Sequence, residues 1–303
     1  MASPGTGGAR RTGAVAVAPE LRRPERPDGG RRGAARLRAA VSGVLRVPAI
    51  LLKFKDTPAA ELRTTTQYNQ VLFAASPTGA SAGRPYTYRS YYEQLSNGLL
   101  SVQGQTYGYA ALDSNEITYT GGSNCTGNPY GSSNCNGLFH NSDLVSPVTR
   151  MQNGLREALR KLDTQVDWTQ YDFDGDSYVD LVAFIHPAVD GACGGATNNH
   201  LWPRRSYLKN ALNIVVPYTT HSVNSQGVPI KVADYILESG VGGLDGCDPS
   251  QIMPVGTVVH ETGAAFPTWA THAGREAVLA LRLPDGTPAF VPRPGDCETT
   301  AKS

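Results

Sequence analysis

The spacing of apolar and polar positions changes several times along this chain, and each change marks an element. Val47 to Lys55 is an apolar, β-rich run closing on Asp56, which predicts a buried strand opening the folded part. Residues 66 to 75 suit a short helix, stopped by Ser76-Pro-Thr-Gly79. In Tyr86 to Gly98, the side chains of Tyr88, Tyr91, Tyr92 and Leu95 share one helical face and Gly98 ends the helix. Leu99 to Gly104 then alternates like a strand, and 113 to 140 reads as a long Gly/Asn/Ser/Thr loop.

After capping candidates at Ser142 and Asp143, Val148, Met151, Leu155, Leu159 and Leu162 recur at three- and four-residue steps. This predicts the longest helix, with Glu157 and Lys161 paired on its outer side. Val179 to Ile185, Asn213 to Thr220 and Ile230 to Leu237 read as strands, and 240 to 246 as a glycine-rich loop. An apolar approach from Val255 then leads into His260 and Glu261. Strands and helices intermixed in this way predict an α/β domain.

Composition adds organisation. The 303 residues, 40% hydrophobic and 17% charged, are enough to bury a sizeable core. A net charge of +1 argues against a nucleic-acid or membrane-surface role, and no stretch is long enough to span a membrane. Ten arginines and no lysine precede Val47. Residues 1–45, rich in Arg, Pro, Gly and Ala and without an aromatic, read as a disordered segment. Residues 46–264 form the expected domain, and 265–303 return to the Arg/Ala/Pro/Gly bias. Ala14 to Ala18 is too short for the apolar core of a secretory signal.

Cysteine usage nevertheless points to an oxidising compartment. Cys125 and Cys135 bracket a short polar loop, Cys193 and Cys247 sit in glycine-rich turns, and Cys297 is left over. The expected bridges are Cys125 with Cys135 and Cys193 with Cys247. Asn124-Cys-Thr fits a glycosylation acceptor.

Two stretches carry chemistry. Asp172, Asp174, Asp176 and Asp180 stand at positions one, three, five and nine of a loop, with the Tyr178 carbonyl at position seven. Hard oxygen ligands at this spacing wrap a calcium ion, although Ser177 and Ala183 replace the glycine and glutamate of a complete EF-hand. The second stretch is His260-Glu261. In H-E-x-x-H, two histidines one helical turn apart hold zinc and the glutamate takes a proton from the metal-bound water. Here the second histidine position is Ala264.

From Arg46 to Gly263 the chain resembles the immune inhibitor A family of secreted zinc metallopeptidases. The resemblance rests on Tyr91-Tyr92 with its Ser-x-Gly stop, on the acidic loop feeding a buried strand, on His200-Leu-Trp202, and on the apolar run into His260-Glu261. It implies a zincin-like fold, with a twisted mixed sheet, a backing helix and an active-site helix. It also implies a secreted, monomeric metallopeptidase acting on protein or peptide substrates. Zinc would be held by His260, Glu261 would be the catalytic base, and calcium would be structural.

The resemblance then breaks. The family continues as His-Glu-x-Gly-His and Gly-Leu-Pro-Asp, whereas Ala264, Pro267 and Ala270 fall where histidine, glycine and aspartate belong. His272 and Glu276 stand at no spacing that a related motif uses. One histidine does not hold zinc tightly. The alternative expectation is a non-catalytic, calcium-binding pseudopeptidase, or a product whose reading frame slips just after Gly263.

Overall fold

A computed structural model describes residues 43–123, 125–126, 133–138, 140–141, 147–194, 199–210, 214–244 and 246–265. The expectations for residues 1–42, Asn124, Ser142, Asp143 and everything from Phe266 on, including Pro267, Ala270, His272, Glu276 and Cys297, lie outside the described residues.

In chain order the elements are β1 (Gly43–Lys53), α1 (Thr65–Leu72), α2 (Tyr88–Leu95), β2 (Leu100–Ala111), α3 (Glu116–Thr120), β3 (Cys125–Thr126) and β4 (His140–Asn141). There follow α4 (Pro147–Leu162), β5 (Val182–His186), β6 (Arg204–Tyr207), β7 (Tyr218–Val223) and β8 (Pro229–Val232). The last are β9 (Asp234–Ser239), β10 (Val241–Gly242), β11 (Asp248–Ile252) and α5 (Val255–Ala265). The main sheet has the order β2-β1-β5-β9-β6. Its first four strands are mutually parallel, and β6 is an antiparallel edge.

Strand β1 explains why the sheet sits in the middle. It is apolar on both sides, as a parallel strand covered on both faces must be. Ile50, Leu52 and Phe54 pack with Met151, Leu155, Leu159 and Leu162 of α4. Val47, Ala49 and Leu51 pack with Tyr68, Val71, Tyr88, Tyr92, Val258 and Val259 of α1, α2 and α5. The backing helix and the His-Glu helix therefore lie on opposite faces of one mixed sheet. Gly104 is required where β2 passes β1, since a Cβ there would stand 2.0 Å from the Val47 carbonyl oxygen.

Helix ends follow from local chemistry. Thr64 with Gln67 and Thr87 with Ser90 form reciprocal capping boxes at the starts of α1 and α2, satisfying backbone donors that the first helical turn leaves free. Gly98, at φ +80°, lets the chain turn out of α2 into β2.

Several elements differ from the sequence reading. Strand β1 begins at Gly43, inside the stretch read as disordered, because its first residues pair with Leu100 onward. The 113–140 loop contains α3 and one strand of the short β3–β4 pair. The run from Ile230 to Leu237 is two strands, β8 and β9, belonging to different sheets. The strand expected over 213–220 starts only at Tyr218, leaving Ile214, Val215 and Val216 exposed. Glu157 is ion-paired with Lys161 at 2.9 Å but is buried, because it also accepts from the Asp113 N–H and the Tyr119 hydroxyl.

Candidate functional site

The acidic loop follows the turn at Trp168–Tyr171, where Trp168 is fully buried, and feeds β5. One carboxylate oxygen from each of Asp172, Asp174 and Asp176 lies within 4.8 Å of the others. The loop is wound by its own side chains. Asp172 accepts from the Ser177 N–H (3.1 Å), Asp174 from Asp176 (3.2 Å) and Asp176 from Tyr178 (2.8 Å). Asp180 stands apart from this cluster, with Oδ2 accepting from the Phe173 N–H at 3.1 Å. Ser177 takes φ +70°, a left-handed conformation that explains the usual preference for glycine at this position.

Burial raises the Asp172 pKa, and the charges of Asp176 and Asp174 push the same way against the Ser177 hydrogen bond. Its Oδ1 is buried without a hydrogen-bond partner. A cation is the simplest chemical answer to an orphaned carboxylate oxygen facing two further carboxylates. The loop is pinned to the β7–β8 hairpin by Val179 N–H to Lys231 O (2.8 Å) and Lys231 N–H to Ser177 O (2.9 Å). The Lys231 ammonium also lies 5.6 Å from the centre of the Tyr178 ring.

Helix α5 is the second place. Val255, Val258 and Val259 are buried against the α2 tyrosines and Met253. Tyr92 donates its hydroxyl to the Val259 carbonyl (2.8 Å), and Tyr88 shares a 2.8 Å hydrogen bond with the Thr262 hydroxyl. Arg84 clamps the approach by donating to the Met253 and Ile252 carbonyls at 2.6 and 2.9 Å. Burying each valine contributes about 2 kcal/mol and each hydrogen bond about 1 kcal/mol, so apolar contact dominates and the tyrosines fix the helix's rotation.

The disulfide Cys193–Cys247, with Cα atoms 5.6 Å apart, joins the turn carrying Asp190 to the loop before β11, and Cys125 is bonded to Cys135.

Around His260 and Glu261 the electrostatics are acidic. Burial pushes the Glu261 carboxyl up to about 7, against the Arg205 backbone N–H and the charges of Arg204 and Arg205. Burial raises Asp190 to about 6, with the Glu261 charge adding to it. Glu238, on β9, is fully buried with both carboxylate oxygens unpartnered, and burial followed by the charges of Glu261 and Asp190 drives its pKa far up. Burial lowers the His260 pKa, so its imidazole is neutral at neutral pH and its 3.9 Å approach to Glu261 is not an ion pair.

These residues do not fit a zinc ion. Among the described residues, the acidic loop supplies the one set of three or more metal-ligating side chains whose donor atoms converge, and His260 belongs to no such set. The Glu261 charge bears on two further carboxyls, Asp190 and Glu238, and helps to raise both. His186 and His200 join no converging set of metal-ligating side chains among the described residues. His186 is wholly buried at the end of β5 and held neutral, its pKa pushed down to about 3 by burial. His200 bonds Glu116 at 2.9 Å, and that partner raises its pKa although burial opposes the rise.

Sequence reasoning missed Asp190, Glu238 and Arg205 as neighbours of α5, and Thr262 as its hydrogen-bonding contact to α2. Only Glu238 left a signal, as a lone carboxylate in an apolar strand run.

The chain therefore combines a mixed α/β sheet, a His-Glu helix against its edge strand and an acidic loop entering a central strand. The model of one family, described as immune inhibitor A peptidase M6, catalytic domain, matches residues 52–248, more than half of the chain, and the chain belongs to that family. The match ends before α5. No curated protein sequence matches the chain.

Proposed function

We propose that this chain is a calcium-stabilised peptidase domain of the M6 family whose hydrolytic centre on α5 is incomplete, so that it binds zinc poorly and cleaves peptides slowly or not at all. The observation that carries this reading is that His260 belongs to no converging set of three metal-ligating side chains among the described residues. Ala264, one turn on, has no donor atom.

Glu261 retains the properties of a general base, with a pKa raised to about 7 by burial, but has no activated water to act upon. Calcium is proposed for the loop of Asp172, Asp174 and Asp176, with the Tyr178 carbonyl as a further ligand, while Asp180, bonded to the Phe173 N–H, is left outside the converging set. Protein or peptide substrates follow from the family, and the two disulfides agree with a secreted protein. No helix among the described residues is long and apolar enough to cross a membrane.

Hydrolysis of a fluorescent casein by the purified chain, with calcium and micromolar zinc, tests the reading. Turnover no faster than that of a Glu261→Ala variant is expected, and partial gain on Ala264→His would support the missing-ligand explanation. Robust cleavage by the unaltered chain, abolished by Glu261→Ala, would overturn it.

A further inference from the structure

Strand β2 forms the edge of the main sheet opposite β6, and two of its outward-facing backbone groups are already taken. The Ser96 hydroxyl accepts from the Leu100 N–H at 2.8 Å, and Asn69 Oδ1 accepts from the Thr106 N–H at 2.9 Å. In a parallel strand the N–H and C=O of one residue point the same way, and successive residues alternate. Leu100 and Thr106 therefore fix the phase, and Val102 and Gly104 between them also turn their backbone groups away from β1. Neither is capped among the described residues. The edge is thus open over two bonding residues between two closed ends, a template for a short extended peptide.

A cavity of about 220 Å³ opens on this stretch, walled by Arg46, Arg89, Gln105, Gln170 and the Gly104 backbone, and no carboxylate lines it. Arg46 is exposed on β1 and has no ion-pair partner among the described residues. Arg89 gives its Nε to Glu93 at 2.8 Å, which leaves its terminal nitrogens available. Gly104 has no side chain to screen its backbone, and a Cβ there would stand 2.7 Å from the Phe73 ring. Two guanidinium groups among side-chain amides, with no acid beside them, select an oxyanion, and the forked donors of arginine match a carboxylate.

We infer that this stretch of β2 is a docking site for the carboxyl terminus of an extended peptide. The last residues of the peptide pair with the open backbone of Val102 and Gly104, and the terminal carboxylate is held by the Arg46 guanidinium with Arg89 beside it. The site uses no residue of α5 or of the acidic loop, so it stands apart from the zinc and calcium readings.

Titration of the isotope-labelled full chain with N-acetyl-glycyl-glycine, followed through backbone amide NMR shifts, tests it. The free acid is expected to shift the Val102, Gly104 and Gln105 amides with a dissociation constant on the order of 1 mM, the strength that a ligand of this size reaches. Its C-terminal amide should bind about tenfold more weakly or worse, because the charge-assisted bonds are lost. Arg46→Gln, at an exposed position, should weaken the acid by about the same factor, while the Phe184 amide in the central strand keeps its shift. Equal binding of acid and amide by the unaltered chain, or no shift at Gly104 with the acid in large excess, overturns the site, and neither result needs a variant to fold. Inorganic phosphate separates the two sources of an anion: phosphate binding as tightly as the acid overturns the peptide reading, and weaker binding supports it.

Discussion

The hydroxyls of Tyr88 and Thr262 meet at 2.8 Å across the contact between α2 and α5, and both residues are buried. Neither group has water to fall back on, so the bond ties the rotation of the His-Glu helix to α2. Tyr88→Phe is expected to cost about 1–2 kcal/mol, the penalty of leaving a buried hydroxyl unpaired. Urea unfolding should show a lower midpoint at unchanged slope. No change in midpoint would mean that Thr262 finds another partner.

Stability should depend on pH through the carboxyls near α5. Asp190 has an ordinary pKa of 3.8 and is raised to about 6, first by burial and then by Glu261. A raised folded-state pKa means that the folded chain holds the proton more tightly than the unfolded chain. Its stabilisation is complete below pH 3.8 and is lost as pH rises through about 6. Asp190→Asn removes that dependence, so the variant should gain on the parent by about 3 kcal/mol between pH 4 and 8. The difference is the useful quantity, because His186, lowered to about 3, gives the opposite slope below its ordinary 6.5. A constant difference across the range would refute the buried-acid description.

Calcium should stabilise the fold through the acidic loop. At a hundredfold excess over its dissociation constant, calcium is expected to add about 2.7 kcal/mol, and a chelator should reverse the gain. Asp174→Asn or Asp176→Asn should abolish most of the shift in melting temperature. An unchanged melt with and without calcium would remove the ion from the account.

The Cys193–Cys247 bridge closes a loop with a sequence separation of 54. Replacing both cysteines by alanine is expected to cost about 4 kcal/mol, read by chemical unfolding under non-reducing conditions. A loss below about 1 kcal/mol would show that packing alone holds this loop in place.

What the sequence revealed, and what it hid, follows from the reach of each signal. Tyr88, Tyr91 and Tyr92 share a helical face because their spacing is local, and the buried packing of α4 was legible from Met151, Leu155, Leu159 and Leu162 for the same reason. Strand β6 was invisible. Arg204-Arg-Ser-Tyr207 has no apolar alternation, since an edge strand tied to Asp234 and covered by α5 needs none. The break between β8 and β9 at Ala233 was hidden inside one apolar run, as periodicity does not say which sheet a strand joins. His260 and Glu261 stood out by their motif. Asp190 and Glu238 reach α5 only through long-range packing, which spacing along the chain does not encode.

Zinc content is the most direct test of the α5 account. The purified full chain would be dialysed against chelator, then against buffer with calcium and a small excess of zinc, and its bound metal measured by mass spectrometry. A catalytic zinc site needs three protein ligands, and His260 belongs to no converging set of three among the described residues. The expected result is well under one zinc per chain, unchanged by His260→Ala. One zinc per chain, lost on His260→Ala, would contradict the account.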